Sequence, residues 1–197
     1  DVFLQLAKDG KPSRAKQRSD KSPGKAAYKL ALMDFGVKQK IIWNLTRRGC
    51  DVTTYPWDTT AEEILADRPD GIVLSNGPGN PKHCQKAIDE IKKLFDEKMP
   101  MMGICLGHQL IALASGADTY KLRYGHRGTN HPVKDLSSGR VYISSQNHGY
   151  VVDEKDLDLS RCKVTHINMN DETIEGLSYV DHPVFTVQYH PEGAPGS

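Results

Sequence analysis

The chain has 197 residues, and its 26 basic and 25 acidic side chains leave a net charge of +1. This length suits one sizeable α/β domain, and the balanced charge gives no drive towards nucleic acid or an anionic membrane. Wide spacing of Cys50, Cys84, Cys105 and Cys162 argues against a disulfide scaffold or a zinc site. No apolar run approaches the ~20 residues of a membrane span, and no signal-peptide segment is visible. The sequence therefore predicts a reduced, soluble, cytoplasmic protein.

Residues 1 to 28 differ in composition from the rest of the chain. A short apolar piece is followed by a run rich in Lys, Arg, Ser and Pro, and the first residue is Asp1 rather than Met. Such a run is typical of a solvated linker, with a basic contact surface as the alternative. We interpret residues 1–28 as a basic linker or the remnant of a missing N-terminal domain, and residues 29–197 as the folded domain.

From residue 30 onward, short apolar runs alternate with helical patterns. The runs predict strands at 30–35, 52–55, 71–75 and 101–104, and the patterns predict helices at 37–48, 60–67, 87–95 and 106–114. This alternation is typical of a doubly wound, mostly parallel sheet with flanking helices. Later runs predict short strands at 140–145, 149–152, 163–168, 173–178 and 184–189. They indicate an antiparallel extension of the sheet.

The motif Gly103-Ile104-Cys105-Leu106-Gly107 joins a predicted strand to a predicted helix. This arrangement is typical of a nucleophile elbow, in which glycines let the strand and helix backbones approach closely. At a helix N-terminus the macrodipole favours a thiolate on Cys105, and the N–H of Leu106 could hold an oxyanion. The alternative is a buried core cysteine, which packs as a small hydrophobe.

A thiol needs a base, and the base needs a group that orients it. His190-Pro191-Glu192 directly follows the last predicted strand. A lone histidine is usually a structural residue. Here its position at a strand end, two residues before a carboxylate, favours His190 as the base and Glu192 as the orienting group.

Residues 75–81 form a Gly/Pro-rich loop after a buried strand. The loop matches neither G-x-G-x-x-G nor the P-loop pattern, so no ATP chemistry is expected on this chain. A rigid turn that presents backbone N–H groups, Gly79 among them, is the better interpretation. An ordinary tight turn is the alternative.

Two further polar stretches have weaker signals. Residues 145–150 read as a polar turn between two strands, which could hydrogen-bond a small substrate or simply close a hairpin. His126 and His131 suggest a metal, but neither has a Cys or acidic partner at ligand spacing. We therefore expect no metal site.

Three motifs together resemble those of the class I (triad) glutamine amidotransferase family: residues 103–109, 76–79 and 190–192. Residues 131–135, 145–150 and 164–166 are also similar to the small, glutamine-hydrolysing subunits of carbamoyl phosphate synthetases. The similarity covers about residues 29–196. It implies the fold of that family, with a flavodoxin-like core.

The resemblance also implies roles for individual residues. Cys105 would form a γ-glutamyl thioester, His190 would transfer the proton, and Glu192 would orient His190. The amides of Gly79 and Leu106 would form the oxyanion hole. Glutamine would be held by Gly77, Gly79, Leu106, Gln109, Asn147, Gly149 and Tyr150.

The resemblance further implies a partner. Ammonia would pass to a carbamoyl phosphate synthetase large subunit, which uses ATP and bicarbonate to make carbamoyl phosphate for pyrimidines and arginine. No cofactor and no metal are expected on this chain itself. Small subunits of the family have in addition an N-terminal domain with one glutamine-binding serine, and a terminal helix beyond Gly196. We expect both to be missing here.

Other functions remain open from the sequence. One is the amidotransferase of another pathway, such as anthranilate or GMP synthesis. A second is a thiol hydrolase that acts on another γ-glutamyl or peptide substrate, because this elbow fold is widely shared. A third is a regulatory binding module with a vestigial site.

Overall fold

The computed structural model describes residues 13–14 and 28–193. Nearly all of the predicted linker at residues 1–28 lies outside the described residues, as do residues 194–197. Along the described chain the elements are β1 (Ser13–Arg14), β2 (Tyr28–Asp34), α1 (Gln39–Arg47), β3 (Cys50–Pro56), α2 (Ala61–Ala66), β4 (Gly71–Leu74), α3 (Gln85–Asp96), β5 (Met101–Ile104), α4 (Leu106–Ala114), β6 (Thr119–Asp135), β7 (Val141–Val152), β8 (Cys162–Asn168), β9 (Ile174–Tyr179) and β10 (Val184–Val187).

The described strands form one sheet in the order β1-β3-β2-β4-β5-β10-β9-β8-β6-β7. Strands β3, β2, β4, β5 and β10 are mutually parallel. From β10 through β9, β8, β6 and β7 the pairing is antiparallel. The predicted parallel sheet with an antiparallel extension is therefore confirmed. The carboxyl ends of β4, β5 and β10 meet at one edge, where ligands bind in such sheets.

Both faces of the parallel half are covered. Along β2, Ala31 and Met33 belong to one apolar cluster, and Leu32 belongs to another on the opposite face. Helix α1 packs Ile41 and Ile42 against the Leu32 face. Helices α2, α3 and α4 contribute to the other cluster. Burial on both faces explains why these strands are continuous apolar runs rather than alternating ones.

The helices follow from local sequence signals. In α2, the Thr60 side chain accepts from the N–H of Glu63, and the Glu63 carboxylate accepts from the N–H of Thr60. This capping box satisfies two N–H groups that the helix start would otherwise leave unpaired. Among the described residues, no helix is both long enough and apolar enough to cross a membrane.

The prediction for residues 117–152 was wrong in two respects. Residues Thr119–Asp135 form the long strand β6, where no strand was predicted. Residues 145–150 are not a turn but the middle of one continuous strand, β7. The β6–β7 ladder changes register after Lys121 and after Gly128. These irregularities break the period-2 pattern by which a strand is recognised in a sequence.

Candidate active site

Cys105 lies on a sharp turn between β5 and α4. Its backbone has φ 54° and ψ −102°, a conformation that costs a non-glycine residue about 1–3 kcal/mol. The Cys105 N–H donates to the carbonyl oxygen of Val187 at 2.9 Å, which ties the turn to the end of β10. Two neighbouring strand ends thus hold the thiol at the carboxyl edge of the sheet.

The flanking glycines are required by close backbone approaches. A Cβ on Gly107 would lie 2.3 Å from the carbonyl oxygen of Leu74, and one on Gly103 would lie 2.7 Å from the Gly107 backbone. Both distances are far below a normal van der Waals contact. The predicted reason for the two glycines is confirmed.

The sequence predicted a thiolate at Cys105, but the environment of this residue favours the neutral thiol. The side chain is 3% exposed, and burial raises the pKa of its thiol to about 12. The N–H of Leu106 and the charge of Lys38 act in the opposite direction but are weaker. A neutral thiol at this position needs a base to remove its proton.

His190 and Glu192 form a buried pair at the end of β10. Nδ1 of His190 lies 2.7 Å from Oε1 of Glu192. The backbone N–H of His190 donates to the carbonyl oxygen of Ser145 at 2.9 Å, which fixes the residue against β7. Because a carboxylate only accepts, Nδ1 carries the proton and Nε2 is left with its lone pair. A lone pair on Nε2 is what a general base requires.

Lys38 makes a second contact with the same carboxylate. Its Nζ lies 3.1 Å from Oε1 of Glu192. Burial acts to raise the pKa of Glu192, but the hydrogen bond from His190, a backbone N–H at Glu192 and the contact with Lys38 together hold the pKa below its ordinary value of 4.5. Glu192 therefore stays ionised behind His190.

A cavity of about 350 Å³ opens beside the thiol. Its lining includes eight of the residues predicted for the site: Gly77, Gly79, Cys105, Gln109, Asn147, Gly149, Tyr150 and His190. The two other predicted residues are buried as well: Leu106 directly follows Cys105 in the chain, and Glu192 contacts His190. The structure thus brings the predicted residues together, while the role of each stays a prediction.

The cavity is also lined by residues to which no sequence motif assigned a role. Lys38, Arg127 and His148 line it. Lys38 comes from the loop after β2, so the rule that ligands bind at strand carboxyl ends could have indicated it. Arg127 lies on β6, which was not predicted as a strand, and no local signal marked it.

The loop after β4 has the backbone expected of a rigid turn. Gly79 has φ 99°, a conformation that favours glycine. A Cβ on Gly77 would lie 2.4 Å from the carbonyl oxygen of Phe35. The Asn76 side chain accepts from the N–H of Lys38 and donates to the carbonyl oxygen of Gly36, at 3.1 and 3.0 Å.

Gln109 supports the opposite wall. Its Nε2 donates to the carbonyl oxygen of Tyr150 at 2.7 Å and to Oε1 of Gln188 at 2.8 Å. Both amide hydrogens are therefore used within the chain, and Oε1 is the atom left for a substrate. His148 donates from Nδ1 to the same carbonyl of Tyr150 at 2.9 Å.

The structure places acidic side chains beside His126 that the sequence spacing does not reveal, and the expectation of no metal stays a prediction. Acidic partners for His126 are absent nearby in the sequence but present in space. Nε2 of His126 lies 2.8 Å from Asp171, and Nδ1 lies 3.7 Å from Glu175. The β6–β8–β9 pairing brings these groups together across 45 residues or more.

The chain is similar to known proteins over most of its length. The family model described as "Glutamine amidotransferase class-I" matches residues 31–197. Two carbamoyl phosphate synthase small chains, from Listeria monocytogenes and Bacillus caldolyticus, are each 55% identical over 175 residues. Each match covers 89% of this chain and 48% of the relative. The chain therefore spans about half the length of the curated relatives it matches.

Solved structures agree on the fold. A glutamine amidotransferase from Thermotoga maritima has a TM-score of 0.66 at 16% identity, over 84% of this chain and 76% of that one. A candidate GMP synthase protein from Thermoplasma acidophilum has a TM-score of 0.74 at 24% identity, over 85% of this chain and 86% of that one. Identities this low support the fold alone.

Proposed function

Because the chain belongs to the class-I glutamine amidotransferase family, we propose that it hydrolyses L-glutamine to glutamate and ammonia with Cys105 as the nucleophile. One observation carries this proposal. The thiol lies on a strained elbow in the same cavity as His190, whose Nδ1 is 2.7 Å from a buried carboxylate. Thiol, base and orienting acid are the parts that acyl transfer needs.

In the first half-reaction, His190 Nε2 takes the thiol proton while the Cys105 sulfur attacks the side-chain amide carbon of glutamine. The N–H groups of Gly79 and Leu106 stabilise the oxyanion that forms. His190 then gives its proton to the leaving nitrogen, and ammonia departs. A γ-glutamyl thioester remains on Cys105.

In the second half-reaction, water attacks the thioester carbon. His190 removes a proton from that water and returns it to the departing sulfur, so that glutamate and the free thiol are regenerated. Glu192 keeps the His190 ring oriented in both steps and stabilises the imidazolium. The two half-reactions as written require no metal and no redox cofactor.

The cavity walls are suited to a small zwitterion. Asn147, Gly149 and Tyr150 come from β7, and Gly77 comes from the loop after β4. Backbone groups and neutral side chains dominate, so hydrogen bonds would orient the substrate. Arg127 at the cavity offers positive charge for the α-carboxylate.

The relatives named carbamoyl phosphate synthase small chain suggest where the ammonia goes. A large subunit in the cytoplasm would use it with bicarbonate and ATP to make carbamoyl phosphate. Identity of 55% to these chains favours this pathway over anthranilate or GMP synthesis.

The experiment mixes the purified chain with a carbamoyl phosphate synthetase large subunit, with either glutamine or ammonia as the nitrogen source. Glutamine-dependent carbamoyl phosphate formation that disappears in Cys105→Ser supports the proposal. The rate of carbamoyl phosphate formation from ammonia must be the same with the parent chain and with Cys105→Ser. Glutamine turnover that persists in Cys105→Ser would overturn the nucleophile assignment.

A further inference from the structure

We propose that His126, His148 and Glu175 form a binding site for a divalent transition metal of the zinc class. The three residues come from β6, β7 and β9, and their ligand atoms all lie within 4.8 Å of one another. All three side chains are buried. This proposal does not depend on the proposed glutaminase activity.

Each histidine is held as a metal ligand usually is. His126 donates from Nε2 to Asp171 at 2.8 Å, and His148 donates from Nδ1 to the carbonyl oxygen of Tyr150 at 2.9 Å. Metal-bound histidines nearly always donate their outer N–H to a carboxylate or a backbone carbonyl in this way. The remaining nitrogens, Nδ1 of His126 and Nε2 of His148, are then the atoms that would face a metal ion.

The inner atoms lack donors. Nδ1 of His126 and Oε2 of Glu175 are buried without a hydrogen-bond partner among the described residues. Nδ1 of His126 lies 3.7 Å from Oε1 of Glu175, and in a neutral ring with its proton on Nε2 a lone pair faces that carboxylate. Nε2 of His148 is hydrogen-bonded to the Gln146 side-chain amide at 2.7 Å, a contact that a metal ion would replace. Two unpaired acceptors at zero or near-zero exposure are costly, and one cation would satisfy them together.

A proton on His126 is the competing explanation. It would place an imidazolium between Asp171 and Glu175. It would satisfy Nδ1 of His126 but leave Oε2 of Glu175 without a donor among the described residues. A divalent ion satisfies all three ligands at once, which is why we favour it.

The ligand set indicates the kind of metal. Two imidazoles and one carboxylate suit zinc and its neighbours rather than magnesium or calcium. Tetrahedral zinc, with bonds of about 2.0–2.2 Å, places its ligand atoms roughly 3.4 Å apart. The 3.7 Å between Nδ1 of His126 and Oε1 of Glu175 is close to that value. Small side-chain rotations would shorten the other distances between ligand atoms, which are at most 4.8 Å. A metal ion could enter the site from the catalytic cavity, because His148 also lines that cavity.

The test measures metal on the full chain in a Cys105→Ser background, because the cavity thiol could itself bind zinc. We expect the protein, stripped with chelator and incubated with zinc, to retain one equivalent after gel filtration. Cobalt substitution should give a spectrum of nitrogen and oxygen ligands without a thiolate band. His126→Gln and Glu175→Gln should lose the metal.

The matched control is His131→Gln, since the His131 ring lies 5.2 Å from that of His126 but belongs to no candidate ligand set among the described residues. This variant should keep its zinc. Failure of the parent to bind zinc, or equal binding by Glu175→Gln, would overturn the proposal in favour of a bridging proton. If His126→Gln does not fold, the cobalt spectrum of the parent protein tests the ligand set instead. A spectrum without imidazole ligands would contradict the proposed site.

Discussion

Nδ1 of His190 lies 2.7 Å from Oε1 of Glu192, and both side chains are buried. This contact assigns the proton of the ring to Nδ1 and frees Nε2 for the thiol. Replacing Glu192 by Gln keeps the size of the side chain but removes the charge and lets the ring adopt the wrong tautomer. The chemistry at Cys105 should therefore slow even though the thiol is intact.

We expect Glu192→Gln to lower kcat for glutamine hydrolysis by roughly 10²- to 10⁴-fold, with a much smaller change in KM. Initial rates of glutamate release at varied glutamine concentration measure both. A kcat within a factor of about two of the parent would show that Glu192 does not orient the base.

Lys38 should matter less than its position suggests. Its side chain is 46% exposed, so water screens its ion pair with Glu192. Lys38→Met should reduce kcat by roughly two- to fivefold, and Lys40→Met, an exposed control two residues further on, should have no effect. A hundredfold effect, or identical rates for both variants, would contradict this weak supporting role.

The pKa of Cys105 makes a separate prediction. With the pKa raised to about 12 by burial, the thiol is protonated across the neutral range, and its thiolate fraction grows as pH rises. The alkylation rate of the Cys105 peptide, followed by mass spectrometry without substrate, should therefore climb continuously from pH 7 to pH 10. A plateau below pH 8 would indicate the thiolate that the helix N-terminus alone predicts.

The elbow also sets a stability requirement. A Cβ on Gly107 would lie 2.3 Å from the backbone oxygen of Leu74, so Gly107→Ala should lower the free energy of unfolding by about 1–3 kcal/mol or more. Gly149→Ala is the control, because a Cβ there meets no atom of the described residues within 4 Å. Urea denaturation measures both. Equal stability of the two variants would contradict the close packing of α4 on β4.

Local signals were enough to predict the parallel half of the fold. Its strands are buried on both faces and alternate with amphipathic helices, so runs such as 71–75 stand out in the sequence. Strand β6 was missed because it is largely exposed and polar and its ladder is interrupted by register shifts. A strand of this kind is defined by its partners rather than by its own pattern.

The same distinction applies to the site. The sequence was sufficient to single out Cys105, His190 and Glu192, because each lies in a short motif whose local backbone geometry explains its position. Lys38 reaches Glu192 across more than 150 residues, and Glu175 reaches His126 through the register of three strands. Contacts of this kind depend on tertiary structure and leave no spacing signal.

The most direct test of the account is the covalent state of Cys105 during turnover. The chain, mixed with glutamine and a large subunit, is quenched in acid and digested, and the Cys105 peptide is weighed. We predict a mass gain of one γ-glutamyl group that hydroxylamine removes and that Cys105→Ser lacks. The proposed mechanism would be contradicted if glutamine turnover continued while Cys105 stayed unmodified and if the turnover were undiminished in Cys105→Ser.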